Sequence, residues 1–401
     1  MKKLVIAAAF LGLSTQVAHA TKARLIALGQ DKDGSYYLQE SRNFNLNPAS
    51  INDMGHYAVV ETGATGLGVN TNIETDTATK AEGGVFFGMG NLNYGGYLGN
   101  ESDTAVLVKS IVAKNASAMP QSDNVVEVMV GGKNAVNWGV LFGTGANKDE
   151  QGSATKENKA LYTRFGVSKD NWEAFAGTSL QGESEDKINN LKYDGDAAYQ
   201  LGATYNFNDM TAFARYQTID WKQVASSVST KGSYNEIKVG VARIHELSAT
   251  DRMFMEVRYE KLGAELKFAS GTASADTYYV PLVVGYEAQA NSWLTLRGSI
   301  THFLASEAKE KNVTTANFGA VGATVHSFLR NKFKLSTTPG DGKKTVSNST
   351  DINAGATIKL GKISIDGLVG TGGAGGTATT TDVGTLSLDR LMTRVSMTYM
   401  F

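Results

Sequence analysis

The chain has 401 residues, a formal net charge of −1 and no cysteine. The charge argues against bulk attraction to nucleic acid, and the missing thiols exclude disulfides and thiolate metal sites. With 44 Gly, 16 Tyr, 16 Phe and only 4 Pro, the composition favours many strands and tight turns over helices.

The first element read is a secretory signal. Met1-Lys2-Lys3 is a basic start, Leu4 to Leu13 a short apolar core, and Ala18-His19-Ala20 fits a small-x-small cleavage site. Cleavage after Ala20 is expected, so that the exported chain begins at Thr21. The apolar core is too short to span a bilayer, and no later stretch approaches the ~18 uninterrupted apolar residues of a membrane helix. Residues 21–53 precede the first clear strand and contain Arg42-Asn43-Phe44-Asn45-Leu46-Asn47-Pro48-Ala49. This run resembles a motif near the amino terminus of FadL-type fatty-acid transporters, and the resemblance implies a plug inside a barrel. A periplasmic lead-in capped at Asn47 is the other reading. The chain therefore divides into a signal peptide (1–20), a periplasmic amino-terminal segment or plug (21–53) and a transmembrane β-barrel (54–401).

From residue 54 onward the dominant signal is period-two alternation. Glu101 to Asp123 interrupts it: Asp103 caps a short predicted helix over Thr104 to Lys114, with Val108, Ile111 and Val112 on one side. Two readings stand: a constriction loop folding into a pore, with Glu101, Asp103 and Asp123 supplying acids, or a surface loop or extra hairpin. Alternation then returns in Tyr199 to Phe207, Met253 to Glu260, Leu294 to Thr301 and Ile352 to Leu360. One phase is apolar and the other carries charges, which a dry core would penalise and a water-filled lumen tolerates. Tight turns fall near Gly90-Asn91, Lys133-Asn134, Lys169-Asp170, Asn208-Asp209, Ala249-Thr250, Asn291-Ser292 and Gly361-Lys362. Longer polar loops lie at Ala146 to Lys156, Gly182 to Gly195, Gln223 to Gly232, Leu266 to Asp276 and Gly370 to Gly384. Short turns on one side and long loops on the other are the habit of outer-membrane barrels. With one more strand pair turning near His326-Ser327, the count is about 18 antiparallel strands, 14 or 16 being the alternatives. Trp138, Trp172, Trp293 and Trp221 sit at strand ends, as girdle residues would. Pro281, inside an expected strand, calls for a rim or a bulge.

The last segment, Leu391 to Phe401, alternates strictly. Its end, with Tyr399 and Phe401, resembles the signature by which outer-membrane barrels are recognised for assembly. The inward phase of the strands carries Arg164, Arg215, Arg258, Arg297 and Arg394, with Glu127, Glu173, Glu236 and Glu256 among them. Either these charges oppose the loop acids across a pore, or they pair across strands and stabilise the wall. No histidine spacing suits a metal, and Gly370-x-Gly372-x-x-Gly375 lacks the following helix that a dinucleotide site needs. The whole exported chain resembles porin-like outer-membrane proteins, in particular those of predatory delta-proteobacteria. The resemblance implies a non-enzymatic channel without cofactors, located in the outer membrane of a Gram-negative cell, for passive diffusion of small hydrophilic solutes and ions. It implies lipid, lipopolysaccharide and the barrel-assembly machinery as partners, with a homotrimer as an option. A FadL-type transporter of hydrophobic compounds and a structural or adhesion barrel are the alternatives.

Overall fold

The computed structural model describes residues 21–63, 80–100, 125–151, 154–187, 190–225, 228–268, 271–312, 342–345, 350–370 and 391–401. In this region the alternating segments become β1 (Tyr57–Gly63), β2 (Lys80–Met89), β3 (Leu92–Leu98), β4 (Val126–Lys133), β5 (Asn137–Gln151), β6 (Ala154–Lys169), β7 (Trp172–Asp186) and β8 (Leu191–Phe207). They continue as β9 (Met210–Ala225), β10 (Val228–Glu246), β11 (Asp251–Phe268), β12 (Gly271–Asn291), β13 (Leu294–Lys311), β14 (Gly342–Thr345), β15 (Thr350–Leu360), β16 (Ile363–Gly370) and β17 (Leu391–Met400). Each pairs antiparallel with its neighbours, and β1 pairs with both β2 and β17, so the sheet closes on itself.

Among the described residues the closed ring contains sixteen strands, one of the alternative counts, rather than about eighteen. β13 pairs directly with β15, and the short β14 pairs only with β13, in the same register that β15 keeps lower down. The strand pair expected near His326-Ser327 falls at 313–341, outside the described residues, and the ring closes without it. All seven tight turns lie where the sequence puts them. Asp170 and Asn208 take φ of 51° and 56° there, the left-handed conformation that these short polar side chains tolerate. Four of the five expected long loops differ, and the fifth, Gly370 to Gly384, lies beyond Gly370 outside the described residues. Most of 146–156, 182–195, 223–232 and 266–276 is strand, because hydrogen-bonded pairing continues outward through polar residues. Cross-strand partners such as Lys148↔Glu157 and Glu185↔Lys192 bring opposite charges together in these extensions. Pro281 sits at a register shift between β12 and β13, where no ladder donor is required of it.

Alternation gives the ring two unlike faces. Along β11, Met255, Val257 and Tyr259 are exposed, whereas Phe254, Glu256, Glu260 and Leu262 are buried. The exposed set recurs around the ring in Val85, Phe87, Val128, Phe142, Phe165, Leu201, Tyr216, Val239, Leu296, Ile300, Ile352 and Met397. The result is an outward face, or belt, on which large apolar side chains recur from strand to strand. Trp172 and Trp293 lie exposed at strand ends, but Trp221 does not: it is 1% exposed. It continues the inward phase of Phe213, Arg215, Gln217 and Ile219, and its indole fills the space opposite Gly232, where an added Cβ would meet it at 2.1 Å.

Candidate functional site

The space enclosed by the ring is occupied by the chain's own amino-terminal segment. Local signals shape it first. Thr21 caps a six-residue helix, α1 (Lys22–Ala27), by accepting a hydrogen bond from the Arg24 amide at 3.3 Å. Asn47 caps the 3₁₀ turn Pro48–Asp53, its Oδ1 accepting from the Ala49 amide at 3.0 Å. Pro48 suits the first position because that residue owes no helical N–H.

The contacts of this segment come from all sides of the ring. Thr21 Oγ1 donates to Asp366 on β16 at 3.1 Å, and Asn47 Nδ2 donates to Glu173 on β7 at 2.9 Å. Those two strands stand opposite one another in the sixteen-strand ring. Tyr36 stacks on Phe213 of β9 with ring centroids 4.5 Å apart, while the Lys22 amide donates to Glu61 of the opposing β1 at 2.7 Å. Only a segment inside the barrel reaches both walls.

Three groups of charges fasten it. Against β1 to β3, Arg42 donates to Glu61 at 2.6 Å, Glu82 at 3.0 Å and the Tyr97 hydroxyl at 2.9 Å, and Lys22 Nζ lies 2.5 Å from Glu82. Against β12, β13 and β16, Arg24 forks onto Glu287 at 2.9 and 3.0 Å and also bonds Glu40 of its own segment. Arg297 joins Glu287 at 3.1 Å to Asp366 at 2.9 Å behind it. Against β10 and β11, Lys238 pairs with Asp31 at 2.5 Å, and Glu256 accepts from Tyr37 at 3.1 Å, Gln30 at 3.2 Å and Arg258 at 2.7 Å.

These charges are deeply buried, and their titration follows. Burial lifts the Glu40 carboxyl to about 7, against the pull of the Arg24 guanidinium beside it. Burial lowers the Lys22 ammonium from its ordinary value, with Glu82 opposing. For Arg24 and Arg42 burial works against the charge, but the surrounding acids win and hold both above the ordinary guanidinium range. An ion pair in such surroundings adds little net stability while intact, yet losing one partner strands the other and costs about 3–5 kcal/mol.

Apolar contacts fill the intervals. Phe44, Ile51 and Met54 of the segment pack with Tyr57, Phe86, Tyr97, Met129 and Leu141 of the wall, and Leu28 and Leu38 with Phe254 and Val283. Wall glycines admit the segment's backbone. A Cβ at Gly139 would lie 2.2 Å from the Pro48 carbonyl oxygen, and one at Gly166 only 1.7 Å from Asn47 Oδ1.

The residues singled out in the sequence are distributed as follows. Arg164, Arg215, Arg258, Arg297 and Arg394 belong to the inward phase, as do Glu127, Glu173 and Glu256. Arg215 pairs with Glu236, Arg258 with Glu256, and Glu127 accepts from Asn100 and Tyr162 at 2.6 Å each. Arg297 and Arg258 thus meet acids of the wall. Glu101, Asp103, Asp123 and Ala20 lie outside the described residues. Tyr399 and Phe401 are exposed on the outer side, Phe401 standing edge-on to His56. Sequence reasoning passed over Arg24, Lys238, Glu61, Glu82, Glu287 and Asp366, and named Arg42 only as part of the FadL-like run. The wall members among them continue the inward phase, so the same parity that found Arg297 could have found them. The cations of residues 21–53 carry no comparable periodic mark.

No protein-family model matches the sequence, and no curated protein matches it. Solved structures do. OmpT, an outer membrane protein of Vibrio cholerae, is 12% identical with a TM-score of 0.37, over 75% of this chain and 95% of that one. A Pseudomonas aeruginosa FadL homologue is 10% identical with a TM-score of 0.39, over 96% of this chain and 98% of that one. An anion-selective porin from Comamonas acidovorans is 13% identical with a TM-score of 0.34, over 65% and 88%. Outer-membrane β-barrel proteins are thus structural neighbours of this chain.

Proposed function

We propose that the protein is an outer-membrane transport barrel whose channel is closed at rest by its own residues 21–53. The observation that carries this reading is the fastening of one short segment to opposite walls, Asp366 and Glu173, within a ring whose outer face is apolar. Lipid would cover the belt, and the polar inner wall would meet solute when the segment moves. Charged groups on that wall, including Glu127, Glu256, Arg258 and Arg297, favour small hydrophilic solutes and ions. The apolar cluster around Phe44 and Phe86 is the observation that supports a second reading, a transporter of hydrophobic compounds.

The test is a reversible lock. An ideal Cβ at Gly355 lies 2.8 Å from the Ala27 Cβ, so a small outward shift brings an Ala27→Cys, Gly355→Cys pair to the roughly 3.5–4.5 Å of a disulfide. The chain has no other cysteine to interfere. In planar bilayers the oxidised protein should stay shut, the reduced protein should open intermittently, and deletion of 21–53 should leave a steady pore. Equal conductance in all three would refute the gate. Uptake of sugars or of apolar compounds by vesicles carrying the deletion then separates the two solute classes.

A further inference from the structure

We propose that the inner wall contains a receptor for the chain's own amino terminus, in which Asp366 on β16, with Glu61 on β1 beside it, binds the α-ammonium group of Thr21. The inference rests on the reading of the chain as an exported barrel that is processed after Ala20. Hydrolysis of the Ala20–Thr21 peptide bond by a signal peptidase would consume one water, giving a hydroxyl to the Ala20 carbonyl and hydrogen to the Thr21 nitrogen. The new amine takes up a proton at neutral pH.

Thr21 is fully buried, and its hydroxyl already points at Asp366 Oδ2. In a threonine the backbone nitrogen and Oγ1 are about 3–4 Å apart in every staggered rotamer, so an amine at Thr21 lies within about 4 Å of a hydroxyl that already bonds Asp366. The receiving carboxylate is 1% exposed and only partly used. Among the described residues, Asp366 Oδ1 serves Arg297 and the Thr357 hydroxyl, and Oδ2 serves only the Thr21 hydroxyl. Such an oxygen can take a second donor. On the other flank Glu61 accepts from the Lys22 amide at 2.7 Å and from the Ser396 hydroxyl at 3.3 Å, which places a second acid beside the first residues of the segment. Lys22 and Arg42 are balanced nearby by Glu82 and Glu61. A longer chain would have to lead twenty further residues, two of them lysines, away from a residue inside the ring. A chain that starts at Thr21 replaces that burden with a charge-assisted bond.

The decisive measurement is the reactivity of the α-amine in the folded, exported protein. Trace acetylation with acetic anhydride over the neutral to alkaline range, read by mass spectrometry, gives both its exposure and its pKa. The expected pKa lies at least one unit above the ordinary value of about 7.7–8.0, with at least tenfold protection at neutral pH. Asp366→Asn should return both toward the values of an exposed amine, and one glycine inserted before Thr21 should raise the channel's open probability about tenfold. An ordinary, freely reactive amine in the wild-type chain would overturn the proposal without any variant having to fold. Because the labelling does not depend on conductance, a silent or permanently open barrel would count against the transport reading and leave the amine receptor to be judged separately.

Discussion

Gly139 and Gly166 show how a single missing side chain positions the candidate site. Asn47-Pro48-Ala49, the run singled out in the sequence, lies directly against both glycines, and at Gly139 the obstacle to any Cβ is backbone rather than a flexible side-chain end. Gly139→Ala should therefore displace the 3₁₀ turn at a cost of about 1–3 kcal/mol, without disturbing the outward belt. Hydrogen exchange should show faster exchange of the Ala49 and Asn52 amides in an otherwise protected barrel; unchanged protection would mean that the wall yields instead. Glu40 adds a dependence on pH. Its carboxyl is raised from an ordinary 4.5 to about 7 when the segment is docked. A raised acid binds its proton more tightly in the docked state, so its contribution to docking is complete below about 4.5 and is lost as the pH rises through about 7. Protease protection of residues 21–53 should decline over that interval, and the decline should be smaller in Glu40→Gln. Parallel profiles for the two proteins would remove Glu40 as the source.

Among the elements, β11 tests the two faces most directly. Val257 is outward, between Glu256 and Arg258, which are joined to each other at 2.7 Å on the inside. Val257→Arg should impair insertion by roughly 2–4 kcal/mol if the belt meets the middle of a bilayer, seen as loss of heat-modifiable protein in membranes. Normal insertion would place that part of the belt away from the hydrocarbon. The alternation behind this prediction was legible residue by residue, as were the seven tight turns. The ends of the strands were not. Polar composition marks Ala146 to Lys156 and Gly182 to Gly195 as loops, but cross-strand charge pairs keep such residues in a ladder as readily as apolar ones. Trp221 was misread for a related reason: a tryptophan near a strand end resembles a girdle residue, and only the parity of Phe213 to Ile219 reveals that it points inward.

At the scale of the molecule, a closed antiparallel barrel is legible in the alternation and turns of the sequence, whereas its number of strands depends on which neighbours β13 accepts, a long-range pairing with no local signature. The same limit applies to the lumen. Glu61, Glu82, Glu287 and Asp366 are dispersed over more than three hundred residues, and only the closed ring gathers them around Lys22, Arg24 and Arg42. That dispersion has a consequence for the order of events in folding. Thr21 and Asp366 are 345 residues apart in sequence, and Arg24 and Glu287 are 263 apart. Contacts of such separation form late, because the intervening chain must be organised before they gain anything. β16, the penultimate strand of the ring, brings Asp366 into place only when the barrel is all but complete. Leu28 and Leu38, whose cover is Phe254 and Val283, then wait through most of assembly, whereas Phe44 meets Phe86, Tyr97, Met129 and Leu141 on the early strands. The start of the segment, Thr21 to Arg24, is thus the last part to find its place, and its arrival marks a barrel whose wall is already whole.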